Sequence, residues 1–395
     1  MARVLYVSYD GLMEPLGQSQ VLAYLRPLAR QHQIDLITFE KPSDWADTAR
    51  RQPVAADVAG AGIVWHPLRY HKRLSLLSTA YDVARGLVVA RRVVRRQGTQ
   101  IVHTRSYVAS VIALRLAASA GVRFLFDMRG FWPDEKVDAG TWRRGSAVYR
   151  LAKRFERAFL RRADAVVSLT EAGADELARF PGLGGHRPDV TVIPTCADLD
   201  RYAPPPHPPR GPFVLGYVGN AAGWYRFEPV ARLFGAVRRL RPDARLLIVN
   251  KGQHDHVWAV LDGAGVPRSA IEVVALDPSA VPDAVRQMHA SAFFLTPSFS
   301  KQASAPTRLA ELLGCGVPCL VRGGVGDAGR IVGHDRVGVV VDDVEPATID
   351  DAAARLVAMA DDPAVRGRCV ETARRRFSLG KGVGAYDALY RRLSQ

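Results

Sequence analysis

Cysteine is scarce and scattered: the 395 residues contain four, Cys196, Cys315, Cys319 and Cys369. They form neither a dense even framework nor a pair of Cys-x-x-Cys knuckles, which argues against structural disulfides and structural zinc. They read as small buried hydrophobes. Long apolar runs are missing as well. No stretch approaches the roughly 18 apolar residues that span a bilayer, and Met1 to Tyr9 enters a strand-like run without a signal-peptide layout, so a cytoplasmic protein is expected. The segment Gly11 to Gln20 does not have the spacing Gly-x-Gly-x-x-Gly, and no Gly-x-x-x-x-Gly-Lys-Ser/Thr occurs, which removes the main support there for a dinucleotide-binding or P-loop reading. Acidic residues are short of basic ones, 39 against 54, for a net charge of +15.

That excess is uneven. Residues 1–200 carry 29 bases and 20 acids, and two segments concentrate the surplus: Arg69 to Arg96 and Arg143 to Arg162 each hold eight bases and one acid. Arg-rich helices with solvated faces would explain them. So would an anionic partner such as a membrane surface, a phosphorylated acceptor or nucleic acid.

Short β-branched runs alternate with longer amphipathic ones, the pattern of parallel sheets covered by helices. Strands are expected at Val4 to Tyr9, Ile34 to Phe39, Ile63 to His66, Ile101 to Thr104, Arg123 to Asp127, Ala165 to Leu169 and Val190 to Ile193, with a helix at Gln18 to Arg30. Five prolines between Ala203 and Pro209 forbid a helix interior or a central strand and suggest a linker over 203–212. The pattern then restarts, with strands at Phe213 to Gly219, Arg245 to Asn250, Ile271 to Ala275, Phe293 to Thr296, Cys319 to Val321 and Val337 to Val341. Helices are expected at Ile349 to Ala360, Pro363 to Arg376 and Gly384 to Leu393. The fold class is α/β, two doubly wound Rossmann-like domains facing across a cleft, over 1–202 and 213–380. The last helix, within 381–395, would pack back on the first domain. Such sheets place ligands at the carboxyl ends of their strands.

Two loops fit anion binding. Gly11 to Gln20 joins the first strand to a helix, where glycines let backbone N–H groups approach an anion; an ordinary tight turn is the alternative. Ser298 to Glu311 follows an apolar strand and enters a helix. Its hydroxyls, Lys301 and the free N–H groups of a helix start suit a diphosphate, and Glu311, a turn inside, could accept hydrogen bonds from ribose. Alternatively, Thr307 caps the helix and Glu311 serves its dipole. His254-Asp255-His256 invites a metal, but residues two apart on a helix do not share a face and no third ligand is evident, so no metal is expected.

The segment Ala305-Pro306-Thr307-Arg308-Leu309-Ala310-Glu311 through Gly314-Cys315-Gly316-Val317-Pro318 resembles the donor-site signature of GT-B glycosyltransferases of family 4. Gly17 to Gln20 sits where that family keeps a glycine-rich diphosphate loop. Asp127-Met128-Arg129-Gly130-Phe131-Trp132-Pro133 is similar to the Asp-x-Arg-x-x-Trp-Pro element of a polysaccharide-building subgroup. Two departures stand out. The family usually places an Arg and a Lys after the first strand of the second domain, where this chain has Gly219 to Arg226. It also usually begins the donor signature with a Glu, where this chain has Ala303. A third concerns a catalytic-site His, whose position Arg105 holds; His103 lies two residues earlier on the same strand face.

The resemblance implies a metal-independent, retaining glycosyltransferase of hexosyltransferase type with no cofactor, taking a UDP-sugar in preference to a GDP-sugar. The acceptor would be a glycan or lipid-linked hydroxyl in cell-surface polysaccharide or glycoconjugate biosynthesis, at the inner face of a membrane. Candidate catalytic residues are His103, Arg105, Arg129 and Glu135. Gly17, Gln18, Gly219, Asn220, Arg226, Lys301, Ser304, Thr307 and Arg308 are candidates for the diphosphate. Asn250, Lys251, Ala275 and Glu311 are candidates for the nucleoside. Two other readings stay open: a GT-B sugar-nucleotide epimerase, which needs no acceptor, and a nucleic-acid-binding or DNA-glycosylating protein. The basic segments lack the interleaved aromatics of the latter, so nucleic acid is not the expected partner.

Overall fold

The computed structural model describes residues 1–71 and 75–395. Lys72 and Arg73 of the first basic segment lie outside the described residues. Two units emerge. The first comprises Met1–Pro194 together with Leu379–Gln395, the second Thr195–Ser378.

In the first unit seven strands form a parallel sheet: β1 (Arg3–Ser8), β2 (Gln33–Glu40), β3 (Val64–Arg69), β4 (Ile101–Arg105), β5 (Arg123–Asp127), β6 (Ala165–Ser168) and β7 (Val190–Val192), in the order β3-β2-β1-β4-β5-β6-β7. The order reverses at β1 and β4, which pair in register from Val4 opposite Ile101 to Ser8 opposite Arg105. β1, β2, β4, β5 and β6 are buried along nearly their whole length, because helices cover both faces and leave no solvent side to alternate with. The helical segment after β1 starts at Pro15, three residues before the expected start, and winds as a π-turn over Gln18–Leu22 before returning to α-helix at Ala23–Ala29. Such turns widen a helix at functional positions.

The last helix spans Leu379–Leu393, starting five residues before its expected position. Gly380, Gly382 and Gly384 depress helix propensity there, but Val383, Tyr386, Leu389 and Tyr390 make a stripe buried in the first unit, and that packing outweighs propensity.

The second unit holds β8 (Val214–Val218), β9 (Tyr225–Arg226), β10 (Arg245–Val249), β11 (Ile271–Val274), β12 (Ala290–Leu295), β13 (Cys319–Arg322) and β14 (Gly338–Val341). Six strands run parallel in the order β11-β10-β8-β12-β13-β14, and the two-residue β9 pairs antiparallel with the end of β12. β12 begins three residues before the apolar run suggested, since Ala290, Ser291 and Ala292 fit a crowded central position where the Ser291 hydroxyl donates to the Gly216 carbonyl at 2.9 Å. All four cysteines are buried and free.

The unit boundary falls ahead of the proline-rich stretch, so 203–212 lies within the second unit. Ala197 donates its N–H to the Phe377 carbonyl at 2.9 Å, and Arg286 reaches the carbonyls of Arg201 and Ala203 at 2.6 and 2.9 Å. These bonds hold the residues before the prolines to the second sheet.

Candidate functional site

In the first unit the polar residues gather where β1, β4 and β5 end. Register places Tyr6 beside His103, and Ser8, Arg105 and Asp127 in one row, so the two-residue period puts all five on one sheet face. Ser106, the first residue after β4, and Arg129, the second after β5, adopt left-handed backbone, φ 67° and 62°. Two non-glycine residues in that region store strain, a feature that clusters at functional sites.

The C-terminal helix covers this face. Tyr390 Oη lies 2.7 Å from His103 Nδ1, and Tyr386 donates to Asp127 Oδ2 at 3.1 Å. Tyr6 packs on the imidazole with ring centroids 4.4 Å apart. Burial lowers the His103 pKa, against the pull of Asp127, and keeps the ring neutral. His103 therefore sits beneath the surface rather than at it. Burial alone would raise the Asp127 pKa, but the Arg129 guanidinium 3.8 Å away, with His103 and Arg105, reverses this and holds the carboxyl below its ordinary range. Asp127 Oδ1, His103 Nε2 and Arg105 Nη1 have no hydrogen-bond partner. Arg105 ends β4 and faces the exposed Asp10 at 3.6 Å.

Glu135 lies in the first turn of the short helix Trp132–Asp138. Its neighbour Asp134 is the more deeply built carboxylate, receiving Tyr149 at 2.8 Å and Lys153 at 2.9 Å. Lys153 also pairs with the buried Glu156, so one base of the second Arg-rich segment serves the interior. Of the loop residues, Gly17 is a close-approach position: a Cβ there would stand 2.1 Å from the Gly11 carbonyl oxygen. The Gln18 N–H is taken by the Glu14 carbonyl at 3.1 Å.

In the second unit the turn after β8 is stitched to the end of β10. Gly219, at φ 102°, donates to the Val249 carbonyl at 2.8 Å and receives on its own carbonyl the Asn250 amide at 2.8 Å. Asn250 Oδ1 accepts the Gln253 N–H, and Gln253 Oε1 accepts the Ala221 N–H, both within 2.9 Å. The Asn250 side chain is therefore spent on building the turn that carries Asn220. His254 and His256 contact the Asn250 and Ala221 carbonyls at 2.8 and 3.1 Å, which gives that pair a structural explanation. Lys251 and Ala275 are exposed, the latter just past the edge strand β11.

β9 gives the site its character. Its pairing with β12 sets Tyr225 opposite Leu295 and Arg226 opposite Phe294. The Arg308 guanidinium then stacks 4.0 Å from the Tyr225 ring centroid, with Tyr217 and Phe293 at 5.4 and 5.6 Å, and Lys301 Nζ lies 4.0 Å from the Trp224 ring centroid. Each contact is a cation on an aromatic face. Both cations are more than nine-tenths buried, and Arg308 Nη1 has no hydrogen-bond partner. Gly219 makes room for this: a Cβ there would stand 2.3 Å from Arg308 Nη2. Arg226, by contrast, is exposed and turned to Glu228 at 3.3 Å.

Thr307 is the first residue of the helix Thr307–Gly314 rather than its cap; Pro306 occupies the cap position and offers no side-chain hydrogen bond. Ser304 closes the preceding turn with its N–H on the Lys301 carbonyl at 3.1 Å. Glu311, one turn in, pairs with the Tyr202 hydroxyl, and burial raises its pKa. Sequence reasoning missed Trp224, Tyr225 and Tyr202 as partners. The one available signal was the aromatic pair Trp224-Tyr225 directly after the glycine-containing turn 219–223.

Residues 17–196 match the family described as Glycosyl transferase 4-like domain. The whole chain superposes on solved structures of low identity. Sucrose-phosphate synthase from Thermosynechococcus elongatus is 16% identical with a TM-score of 0.72, over 100% of this chain and 99% of that one. A glycosyltransferase from Rickettsia africae is 12% identical, also at 0.72, covering 99% and 98%. Anabaena HepE in complex with UDP is 14% identical at 0.70, covering 98% and 99%. Among curated proteins no sequence match was found. The chain thus has the GT-B fold, and its residues 17–196 are similar to the Glycosyl transferase 4-like domain.

Proposed function

We propose that the protein is a retaining, metal-independent glycosyltransferase that moves a hexose from a UDP-sugar to a hydroxyl of a glycan or lipid-linked acceptor in cell-surface polysaccharide or glycoconjugate synthesis. The observation that carries this reading is the pair of buried cations, Lys301 and Arg308, held on Trp224 and Tyr225 at the start of a helix whose next turn presents Glu311. The hard step is departure of a diphosphate from the sugar carbon, and fixed cations beside a helix N-terminus stabilise the charge that develops on the leaving oxygen. The helix contributes its first-turn N–H groups, and Thr307 a hydroxyl. In this chain Arg308 and Lys301 take the part that family 4 usually assigns to residues after the first strand of the second domain. Glu311 is placed for the ribose, with Tyr202 orienting its carboxyl.

UDP is preferred over GDP because HepE, which shares the fold, was solved with UDP, with UDP and glucose, and with UDP-glucose. Stabilisation by a panel of nucleoside diphosphates tests this. At 100 times its dissociation constant UDP should add about 2.7 kcal/mol and raise the melting temperature. GDP, ADP and CDP should do markedly less, and an equal response to all four would refute base selection.

The acceptor side is assigned to the first unit. Arg105 and Arg129 at the strand ends are placed to meet an acidic or phosphorylated acceptor. Membrane association would run through the basic helix Ser75–Gln97, where exposed Arg91, Arg92, Arg95 and Arg96 accompany exposed Leu76, Leu77 and Tyr81. No helix among the described residues is long and apolar enough to cross a membrane. Each basic residue near an anionic surface adds roughly 1 kcal/mol, so binding to phosphatidylserine vesicles should be strong at low salt and fall steeply as ionic strength rises. Co-sedimentation that ignores salt would argue against an electrostatic contact.

A further inference from the structure

The loop expected to cradle the donor diphosphate already binds an anion, and the anion is part of the chain. Glu40 ends β2 and is 2% exposed. Its Oε1 accepts the Leu12 N–H at 2.8 Å and the Thr38 hydroxyl at 2.6 Å; its Oε2 accepts the Met13 N–H at 3.2 Å. Trp65 Nε1 donates to Thr38 Oγ1 at 2.8 Å, which fixes the hydroxyl that fixes the carboxylate. Gly11 exists for this contact: a Cβ there would stand 2.4 Å from Glu40 Oε2. The side chains of Leu12 and Met13 are buried. Two further charged groups grip the loop, Lys41 on Glu14 at 2.8 Å and Arg50 on the Met13 carbonyl at 3.0 Å.

We infer that Glu40 is a positioning residue for sugar transfer: its buried carboxylate is the resident anion of the Leu12 and Met13 N–H groups, and this part of the loop therefore sets geometry and does not bind the nucleotide's phosphates. This rests on the glycosyltransferase reading. Backbone N–H groups already shared with a carboxylate have no capacity left for a phosphate, and a second anion beside a buried one is repelled. What the loop delivers instead is the placement of the π-turn Gln18–Leu22, whose backbone starts where Gly17 packs on the Gly11 carbonyl.

The test uses the full chain with Glu40→Gln, which keeps the shape but replaces one acceptor oxygen by an amide that cannot accept from a backbone N–H. Hydrogen exchange at Leu12 and Met13 should accelerate by about tenfold or more. The dissociation constant for UDP should stay within about twofold of the wild type. Turnover of UDP-glucose, read as release of UDP, should fall at least about tenfold in kcat with KM for the sugar nucleotide little changed, as expected when a distant shift misplaces reacting groups. Gly11→Ala, which pushes on the same carboxylate, should reproduce the pattern and serves if the first variant fails to fold. Unchanged exchange would remove Glu40 from the loop's support, and unchanged kcat in a folded variant would leave it a purely structural residue. UDP binding weakened about tenfold in step with kcat would return the phosphates to the loop; each of these outcomes overturns the inference. Should the wild-type protein bind no UDP, the donor reading fails by itself, and the exchange experiment still decides what Glu40 holds.

Discussion

Arg308→Met is expected to weaken UDP binding by roughly ten- to a hundredfold, the equivalent of the about 1.5 to 3 kcal/mol carried by a hydrogen bond to a charged group. The free protein should meanwhile lose no stability. Wild-type Arg308 is a buried cation whose Nη1 donates to nothing, a cost that the fold carries in the absence of ligand. Methionine fills the same aromatic nest of Tyr225, Tyr217 and Phe293 without that cost. Titration calorimetry with UDP and a melting curve of the free protein report the two effects separately. The two effects together discriminate: a group kept for packing alone would lower stability when replaced and leave UDP binding untouched. Binding unchanged in a folded Arg308→Met protein would remove this arginine from the diphosphate site.

Asp127→Asn is expected to cost about 3 to 5 kcal/mol of stability, the range for breaking a buried ion pair by removing one partner. The variant leaves the Arg129 guanidinium without its countercharge and leaves the Tyr386 hydroxyl facing an amide. Adding Arg129→Met to Asp127→Asn should recover a large part of the loss, a coupling that urea unfolding of the two single variants and the double variant measures. The pH dependence follows from sign. A carboxyl held below its ordinary pKa stabilises the fold fully above its unfolded value of about 4, and the stability is lost as pH falls through the folded value. Wild type should therefore lose this contribution only in acid, while Asp127→Asn lacks it at every pH. Equal acid sensitivity in the two proteins would show that Asp127 does not carry it.

The strands were legible because buried parallel strands are written as apolar runs, and nearly every such run became a strand within a few residues. Helix ends were less legible. The three glycines after Leu379 argue locally against helix, and only contact with the first unit overrides them. The order of strands in each sheet had no local signal, since it depends on which runs meet after folding. The site was legible in proportion to how local it is: Lys301, Thr307, Arg308 and Glu311 lie in one segment with a helix start. Their partners were not, because Trp224 and Tyr225 reach them through a two-residue antiparallel pairing with β12 that no periodicity announces. His103 read as a base near a strand end, and its burial under Tyr386 and Tyr390 depends on a contact across more than two hundred residues of sequence. Glu40 was invisible for the opposite reason. A glutamate ending a strand reads as solvated, and nothing in Thr38-Phe39-Glu40 tells that a backbone loop closes over it.

The return of the last helix to the first unit also has a consequence for biosynthesis. The first sheet is complete once β7 has been made, yet the face bearing His103 and Asp127 lacks Tyr386 and Tyr390 until the helix Leu379–Leu393 leaves the ribosome. At about 5–20 residues per second, the intervening second unit takes roughly 10 to 40 seconds to translate. During that interval the His103 imidazole and the Asp127 carboxylate, which the finished protein keeps buried, stand open to water. The nascent first unit is therefore a sheet without its cover, and the polar cluster at the ends of β4 and β5 acquires its low-dielectric setting only after the second unit has been made.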